Sequence, residues 1–464
     1  MTLKKLRYPV FILALAMLAC GPLQNTSEPE SQEASVATIV AATLEAADSE
    51  PAPTRPVVED VDISAPEPTI PPPTQTPEPI VEPPTPAALK VIYIADGNVW
   101  LWTEGRAAAQ LTTAGNVIDA NISPDGEIIA LIREYEYFYQ EIWGINSEGS
   151  NERILVSRAD FEAMPRAADY YITQQPFQVE WVPNSHTLAF NTNPTFEGPG
   201  LFSNDDLYLL DTDTGVRTHL LDSGFGGMFF YSPDGAQIAL VTPESLSLIN
   251  SDGTNRREIL TFPIIYTYSE WAFYPTPVWA ADSSYLRVAI PPQDPLGNPE
   301  AFTFIWHIPA DGSLPYMAGE FISAPVFRGH SLISPDTLKA IYAKPIGEAF
   351  EQFELRHRDL VNGEDTIYTT MAFFLENWSP DSTRFTFSDA TTLALNLGEL
   401  GNLPGPATDG TKSFDLKWVS ADRILFFDQP SPDSGFYLHL GSPGGTSIVI
   451  AGPFDYPIAY DFAQ

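Results

Sequence analysis

Cysteine is nearly absent: Cys20 is the only one in 464 residues. No internal disulfide can form, so the fold must be held by its apolar core. Basic residues are also few, 23 Lys and Arg against 60 Asp and Glu, for a net charge of −37. Phosphate binding needs a basic surface, which argues against a nucleic-acid partner. A strongly acidic surface is first of all a soluble one. Beyond the N-terminal segment no apolar run is long enough to cross a bilayer as a helix. Catalytic signatures are missing too. The chain has no Gly-x-Ser-x-Gly, no Walker-type loop and no His-Glu-x-x-His, and Cys20 leaves no other thiol to act as nucleophile. The histidines (His186, His219, His307, His330, His357 and His439) are scattered. No metal site and no cofactor is expected from them.

What is present begins with an export signal. Lys4, Lys5 and Arg7 precede an uncharged apolar run from Val10 to Ala19 that stops at Cys20. Met17-Leu18-Ala19-Cys20 resembles the bacterial lipobox, although that motif prefers Leu where Met17 stands. The resemblance implies a signal peptide over 1–19 and a lipid on Cys20. The protein is then exported and anchored to the cell envelope, on the outer face of the cytoplasmic membrane or at the outer membrane. The lipid is its only contact with the membrane. Residues 20–88 are rich in Pro, Thr, Glu, Ser and Ala, as in Pro71-Pro72-Pro73-Thr74-Gln75-Thr76-Pro77. They cannot bury enough apolar area to offset the entropy of ordering, and read as a disordered stalk. At ~3 Å per residue the stalk reaches on the order of 100–200 Å.

The remainder, 89–464, repeats itself. Ser123-Pro124-Asp125-Gly126 recurs as Ser232-Pro233-Asp234-Gly235, Ser334-Pro335-Asp336-Thr337 and Ser379-Pro380-Asp381-Ser382. Worn copies stand at Val182-Pro183-Asn184-Ser185, Ala280-Ala281-Asp282-Ser283 and Ser420-Ala421-Asp422-Arg423. Pro presets the turn, Asp or Asn bonds its own backbone, and Gly accepts a positive φ. An apolar alternation such as Ile238-Ala239-Leu240-Val241 follows, then a second turn such as Asn250-Ser251-Asp252-Gly253, then a short last strand. Units of this kind, some 40–60 residues apart, are blades of four antiparallel strands.

At these residues the chain resembles the TolB-like, WD-repeat-like propeller family, with Trp378-Ser379-Pro380-Asp381 and Asn250-Ser251-Asp252-Gly253 as the closest fits. The resemblance covers about 90–464 and implies an all-β propeller. Fold does not dictate function, and propellers host unrelated activities. The α/β domain that precedes the propeller in TolB is replaced here by the stalk. The hydrolase domain that accompanies the propeller of prolyl oligopeptidases has no counterpart.

The ends settle the blade count. Lys90–Ile94, Asn98–Trp102 and Ala108–Thr112 read as strands two to four of a blade without a first strand. Pro453–Phe462 reads as a first strand with nothing after it. Pairing the two closes the ring and removes its open edges. Seven internal starts plus one shared blade give eight blades, or seven if a worn copy is a loop.

Loop lengths point to where a ligand binds. Turns between strands one and two and between three and four emerge on one face and are short. The long inserts, at about 134–139, 160–177, 193–205, 262–276, 293–300 and 344–352, all emerge on the other. They are rich in aromatic and acidic residues, and binding loops gather on one end of a rigid scaffold. Tyr135, Tyr137, Tyr139, Tyr170, Tyr171, Trp271 and Tyr274 are the candidate ligand-binding residues. The expected role is a non-catalytic binding or scaffold module for a protein, peptide or glycan. The alternative is an envelope enzyme of the polysaccharide lyase or hydrolase type, working in the funnel of the ring.

Overall fold

Short turns with fixed φ requirements separate strands that have nowhere to hide an apolar face except against the next sheet. The result is a ring of sheets, an eight-bladed β-propeller. The computed structural model describes residues 88–464 except 166–171, 196–202, 270, 296, 299, 323–332, 347–351, 372 and 411. The signal segment, Cys20 and the stalk therefore lie outside the described residues.

Blade 1 holds β1 (Lys90–Ala95), β2 (Asn98–Thr103) and β3 (Ala109–Gln110). Blade 2 is β4 (Val117–Ile122), β5 (Ile128–Glu134), β6 (Gln140–Asn146) and β7 (Arg153–Val156), followed by the one-and-a-half-turn helix α1 (Arg158–Ala163). Blade 3 is β8 (Thr173–Trp181), β9 (Thr187–Thr195), β10 (Leu207–Asp211) and β11 (Arg217–Leu221). Blade 4 is β12 (Met228–Tyr231), β13 (Gln237–Val241), β14 (Ser245–Asn250) and β15 (Arg257–Thr261). Blade 5 is β16 (Val278–Trp279), β17 (Tyr285–Ile290), β18 (Phe302–Pro309) and β19 (Tyr316–Ile322). Blade 6 is β20 (Lys339–Ile346), β21 (Gln352–Asp359) and β22 (Asp365–Met371), with a single bridge from Ile333 to Ala340 where its inner strand belongs. Blade 7 is β23 (Phe373–Trp378), β24 (Arg384–Asp389), β25 (Leu395–Glu399) and β26 (Gly405–Pro406). Blade 8 is β27 (Ser413–Ser420), β28 (Arg423–Asp428), β29 (Phe436–Gly441) and β30 (Ser447–Phe454). The last strand, β31 (Tyr460–Ala463), supplies the missing inner strand of blade 1.

Closure happens as the two incomplete ends predict. β31 pairs antiparallel with β1, Tyr93 opposite Tyr460 and Lys90 opposite Ala463. One boundary differs from the sequence reading. Pro453 and Phe454 belong to β30, the outer strand of blade 8, so the closing strand is shorter than expected. The core then runs round the ring as a chain of clusters between neighbouring blades. Ile92 and Ile129 lie between blades 1 and 2, Phe190 and Ile142 between 2 and 3, Phe229 and Leu207 between 3 and 4, and Val288 and Leu246 between 4 and 5. A larger group around Phe353 and Phe385 spans blades 5 to 7, and the last two clusters complete the circle.

Second strands are buried on both sides rather than alternately. Ile238 and Leu240 face blade 3, while Ala239 and Val241 face blade 5. A sheet with neighbours on both faces cannot have a solvent face, so what reads as alternation is a continuous core strand. Fourth strands carry the solvent edge: most of β11 and β15 is exposed or half-buried.

Candidate functional site

The meander sorts every connection onto one of two faces. On the short-turn face the repeat is a bonded unit. The serine hydroxyl donates to the aspartate two residues on, Ser123 to Asp125 at 2.6 Å, Ser232 to Asp234 at 2.6 Å, Ser334 to Asp336 at 2.5 Å and Ser379 to Asp381 at 2.6 Å. The same hydroxyl accepts the amide five residues on in each of these turns, as Gln237 to Ser232 at 2.9 Å.

These turns are also tied to one another around the whole ring. Lys90 Nζ donates to Gly126 O at 2.6 Å, and His186 Nε2 meets Asp125 Oδ2 at 2.7 Å. Asn184 Nδ2 reaches Pro233 O, the amide of Asp234 donates to Ser283 Oγ, and Tyr285 bonds Thr337. The amide of Asp336 donates to Ser382 Oγ, Arg384 reaches Ala421 O, and Arg423 pairs with Glu104 at 3.0 Å, which returns to blade 1. Asn184, Ser283, Thr337 and Ser382 hold φ values of +57° to +61°, where glycine is the easy choice. Each spends its side chain on a bond to a neighbouring blade, which offsets that backbone cost.

The other face is irregular. The connection from β15 to β16 forms a ridge: Ile264, Tyr266, Tyr268 and Trp271 are 46%, 49%, 58% and 50% exposed, while Ile265 between them is buried. The ridge is pinned rather than loose. The Tyr266 amide donates to Gln293 O at 2.8 Å, and the Tyr268 hydroxyl donates to Asp294 Oδ1 at 2.6 Å. The same carboxylate oxygen accepts the Gly297 amide at 2.7 Å. Thr267 Oγ1 donates to Trp271 O at 2.6 Å. Tyr268 sits at φ +55°, an uncommon conformation for an aromatic residue. At the foot of the ridge Phe262 and Tyr274 pack with Trp306 into the core between blades 4 and 5.

Of the residues singled out in the sequence, Trp271 is on this ridge. Tyr274 is half-buried at its foot, where burial and then the charge of Asp205 push its hydroxyl up to about 12. Tyr135 stands exposed above blade 2, beside a cleft of about 290 Å³ that Asn116, Arg133, Trp143 and Glu152 also line. Tyr139 is packed beneath the Arg158 guanidinium. Tyr170, Tyr171 and the side chain of Tyr137 lie outside the described residues.

Sequence reasoning missed the axis of the ring. Inner strands carry Asp119, Glu180, Glu376, Asp415 and Asp461, and burial raises the carboxyl of each. Lys417 of blade 8 opposes this at Asp119 of blade 2, at Asp415 of its own strand and at Asp461 of blade 1. The only hint in the sequence was that most acids lie beyond the stalk.

His307, His357 and His439 lie in third strands, stacked or packed within blades, and burial lowers the pKa of all three. His186 spends both ring nitrogens on carboxylates, Asp125 and Asp213, which raises it. With Asp125 and Glu127 it forms a group of three whose ligand atoms all lie within 4.8 Å of one another, on the short-turn face.

No family model and no curated protein matches the chain. Among solved structures it is similar to TolB from Acinetobacter baumannii at 12% identity and TM-score 0.34, over 81% of this chain and 83% of that one. An oligogalacturonate lyase from Vibrio parahaemolyticus aligns at 13% identity and TM-score 0.41, over 67% and 84%. A prolyl endopeptidase aligns at 14% identity and TM-score 0.40, over 61% of this chain but 43% of that one. These likenesses concern the propeller fold, and what the chain does is argued from its own two faces.

Proposed function

We propose that the chain is a non-catalytic binding or scaffold module for a protein, peptide or glycan. It is exported, held to the cell envelope by lipid on Cys20, and takes its partner on the long-loop face. The observation that carries this reading is the pinned ridge of Ile264, Tyr266, Tyr268 and Trp271. Four large side chains stay about half exposed although Ile265, Gln293 and Asp294 fix their backbone and one hydroxyl. A rigid exposed aromatic costs little entropy to bind with, and such anchors dominate interfaces. On the opposite face the turns are bonded blade to blade, and the exposed apolar side chains Val216, Leu314, Val361 and Leu403 stand one to a turn on separate blades rather than together as a ridge. The test is to probe glycan and peptide arrays with the full chain and with a Tyr268→Ala, Trp271→Ala variant. Loss of array signal with an unchanged melting curve supports the reading; retention of signal refutes it. The anchor has its own test: Cys20→Ala should abolish labelling by palmitate analogues and release the protein from membranes.

A further inference from the structure

The loop end of blade 3 carries a group of buried oxygen atoms that have no hydrogen-bond partner among the described residues. Gln175 of β8 is the cross-strand partner of Asn193 of β9. The β9–β10 ladder pairs Phe190 with Tyr208 and gives way to a bulge beyond it: the Asn204 amide donates to Thr192 O at 2.9 Å, two residues out of that register, and the Thr192 amide donates to the Asp206 carboxylate. The Asn204 and Asp206 side chains both meet the Thr192 hydroxyl, which leaves Asp205 between them on the other side. Side chains on adjacent strands at one register share a face. Gln175 and Asn193 thus share a face, with Thr195 on the same face two residues along and Asp205 in the adjoining bulge.

That face looks toward blade 4. Ala189, of the same parity as Asn193, packs with Phe229 and Leu240 of blade 4. Asn191 Nδ2 bonds Gly227 O at 3.1 Å, and the Gly226 amide donates to Asp205 O. A Cβ on Gly226 would stand 2.7 Å from that same carbonyl oxygen, so blade 4 is pressed against the group.

Gln175 Oε1, Asn193 Oδ1, Thr195 Oγ1 and Asp205 Oδ1 are all buried and have no hydrogen-bond partner among the described residues. Asn193 is only 6% exposed. Burial also raises the Asp205 carboxyl against a hydrogen bond with Ser203 that lowers it, and no cation among the described residues pairs with it. Unsatisfied buried oxygens are costly one by one, and four in one group call for a common partner. The donors are one carboxylate, two amide carbonyls and one hydroxyl, with no nitrogen or sulfur. That set suits a hard cation, and an irregular, neutral-rich cage suits calcium better than the strict octahedron of magnesium.

We propose that Gln175, Asn193, Thr195 and Asp205 bind a calcium ion between blades 3 and 4 on the long-loop face. With a single carboxylate the affinity is that of extracellular modules, a Kd on the order of 10⁻⁴–10⁻³ M. The site goes beyond the binding role above and stands or falls independently of it.

The experiment is calorimetric titration of the full chain with CaCl₂ and with MgCl₂, beside melting curves in calcium and in EGTA. One saturable calcium site is expected, weaker for magnesium, with a melting point several degrees higher in calcium at saturation. Asp205→Asn should weaken it at least tenfold, and Gln175→Met, which keeps length and loses the donor, by a similar factor. Glu127→Gln, in the other candidate cluster, should leave it unchanged. If Asp205→Asn does not fold, Gln175→Met carries the test alone. Absence of saturable binding at 10-fold the expected Kd overturns the proposal, as does full affinity in Gln175→Met. Loss in Glu127→Gln would move the ion to Asp125 and His186 and equally overturn it.

Discussion

The two faces of this propeller are built from the same strands and differ in what their connections do. On one, serine, aspartate and a left-handed fourth residue repeat from blade to blade, and each turn is bonded to the next until Arg423 and Glu104 close the circle. On the other, connections differ in length and composition, and the ridge holds aromatics out toward solvent. A turn that must bond two neighbours is fixed by geometry, whereas a loop freed from that duty can vary and carry recognition. The repeats mark the face that holds the ring together, and the departures from repetition mark the face proposed to bind a partner.

The comparison can be broken most severely by opening the ring. Deleting 460–464 removes β31, the bond from the Tyr460 hydroxyl to Asp415 O, and the acceptor of Lys417 Nζ at 2.5 Å. Both faces depend on closure, so cooperative unfolding should be lost and the exposed β1 edge should promote aggregation, read by calorimetry and light scattering. An unchanged transition would show that closure is dispensable.

Next in size is a buried charge at the loop end of blade 3. Asp206 is fully buried, accepts from Thr192 N and Oγ1, and burial raises its carboxyl to about 6. Its folded value lies above the unfolded one. Its contribution is therefore present below pH ~4 and lost as pH rises through ~6, by about 3 kcal/mol at most. Chemical denaturation at pH 4.5 and pH 8 should show this slope in the wild type and not in Asp206→Asn. Equal slopes would mean that Asp206 titrates normally.

Smaller effects belong to the clasped face. Ser382 is buried at φ +59° and accepts the Asp336 amide at 2.8 Å. Ser382→Ala should cost about 1–2 kcal/mol, because an amide is left unpaired while the backbone strain stays. Ser382→Gly should cost less, since relief of the left-handed conformation offsets about 1 kcal/mol. The reverse order in urea melts would remove the argument that the side chain compensates for the backbone. The least effect is at His186, raised by Asp125 and then Asp213. Its stabilisation is present below about pH 6.5 and lost as pH rises through its folded value, under about 1 kcal/mol for so accessible a pair. His186→Gln should flatten that part of the stability profile and leave the rest.

The ring was legible in the sequence because turn chemistry is local. Ser232-Pro233-Asp234-Gly235 names its own geometry, and the incomplete ends Lys90–Ile94 and Pro453–Phe462 could be paired by elimination, although the pairing strand proved to be only Tyr460–Ala463. Where local signals fade, boundaries slip: β16 is only two residues, and blade 6 shows one bridge at Ile333. The burial of β13 on both sides was read as alternation because the second neighbour is a different blade. The site was less legible for the same reason. Asp119, Asp461 and Lys417 come together from three blades, and Gln175, Asn193 and Asp205 come together only through the β8–β9 pairing and the bulge that follows β9. Tyr139 and Trp271 looked alike in the sequence; one lies under Arg158 and the other faces solvent.

The most direct test of the division between faces is a binding comparison of two double variants of the full chain on the same glycan and peptide arrays. One, Tyr268→Ala with Trp271→Ala, alters the ridge. The other, Glu148→Ala with Thr383→Ala, alters exposed turn positions of the clasped face. The account predicts at least a tenfold loss of affinity in the ridge variant, about 1–2 kcal/mol per anchor, and wild-type affinity in the turn variant. Equal loss in both, or loss confined to the turn variant, would contradict it.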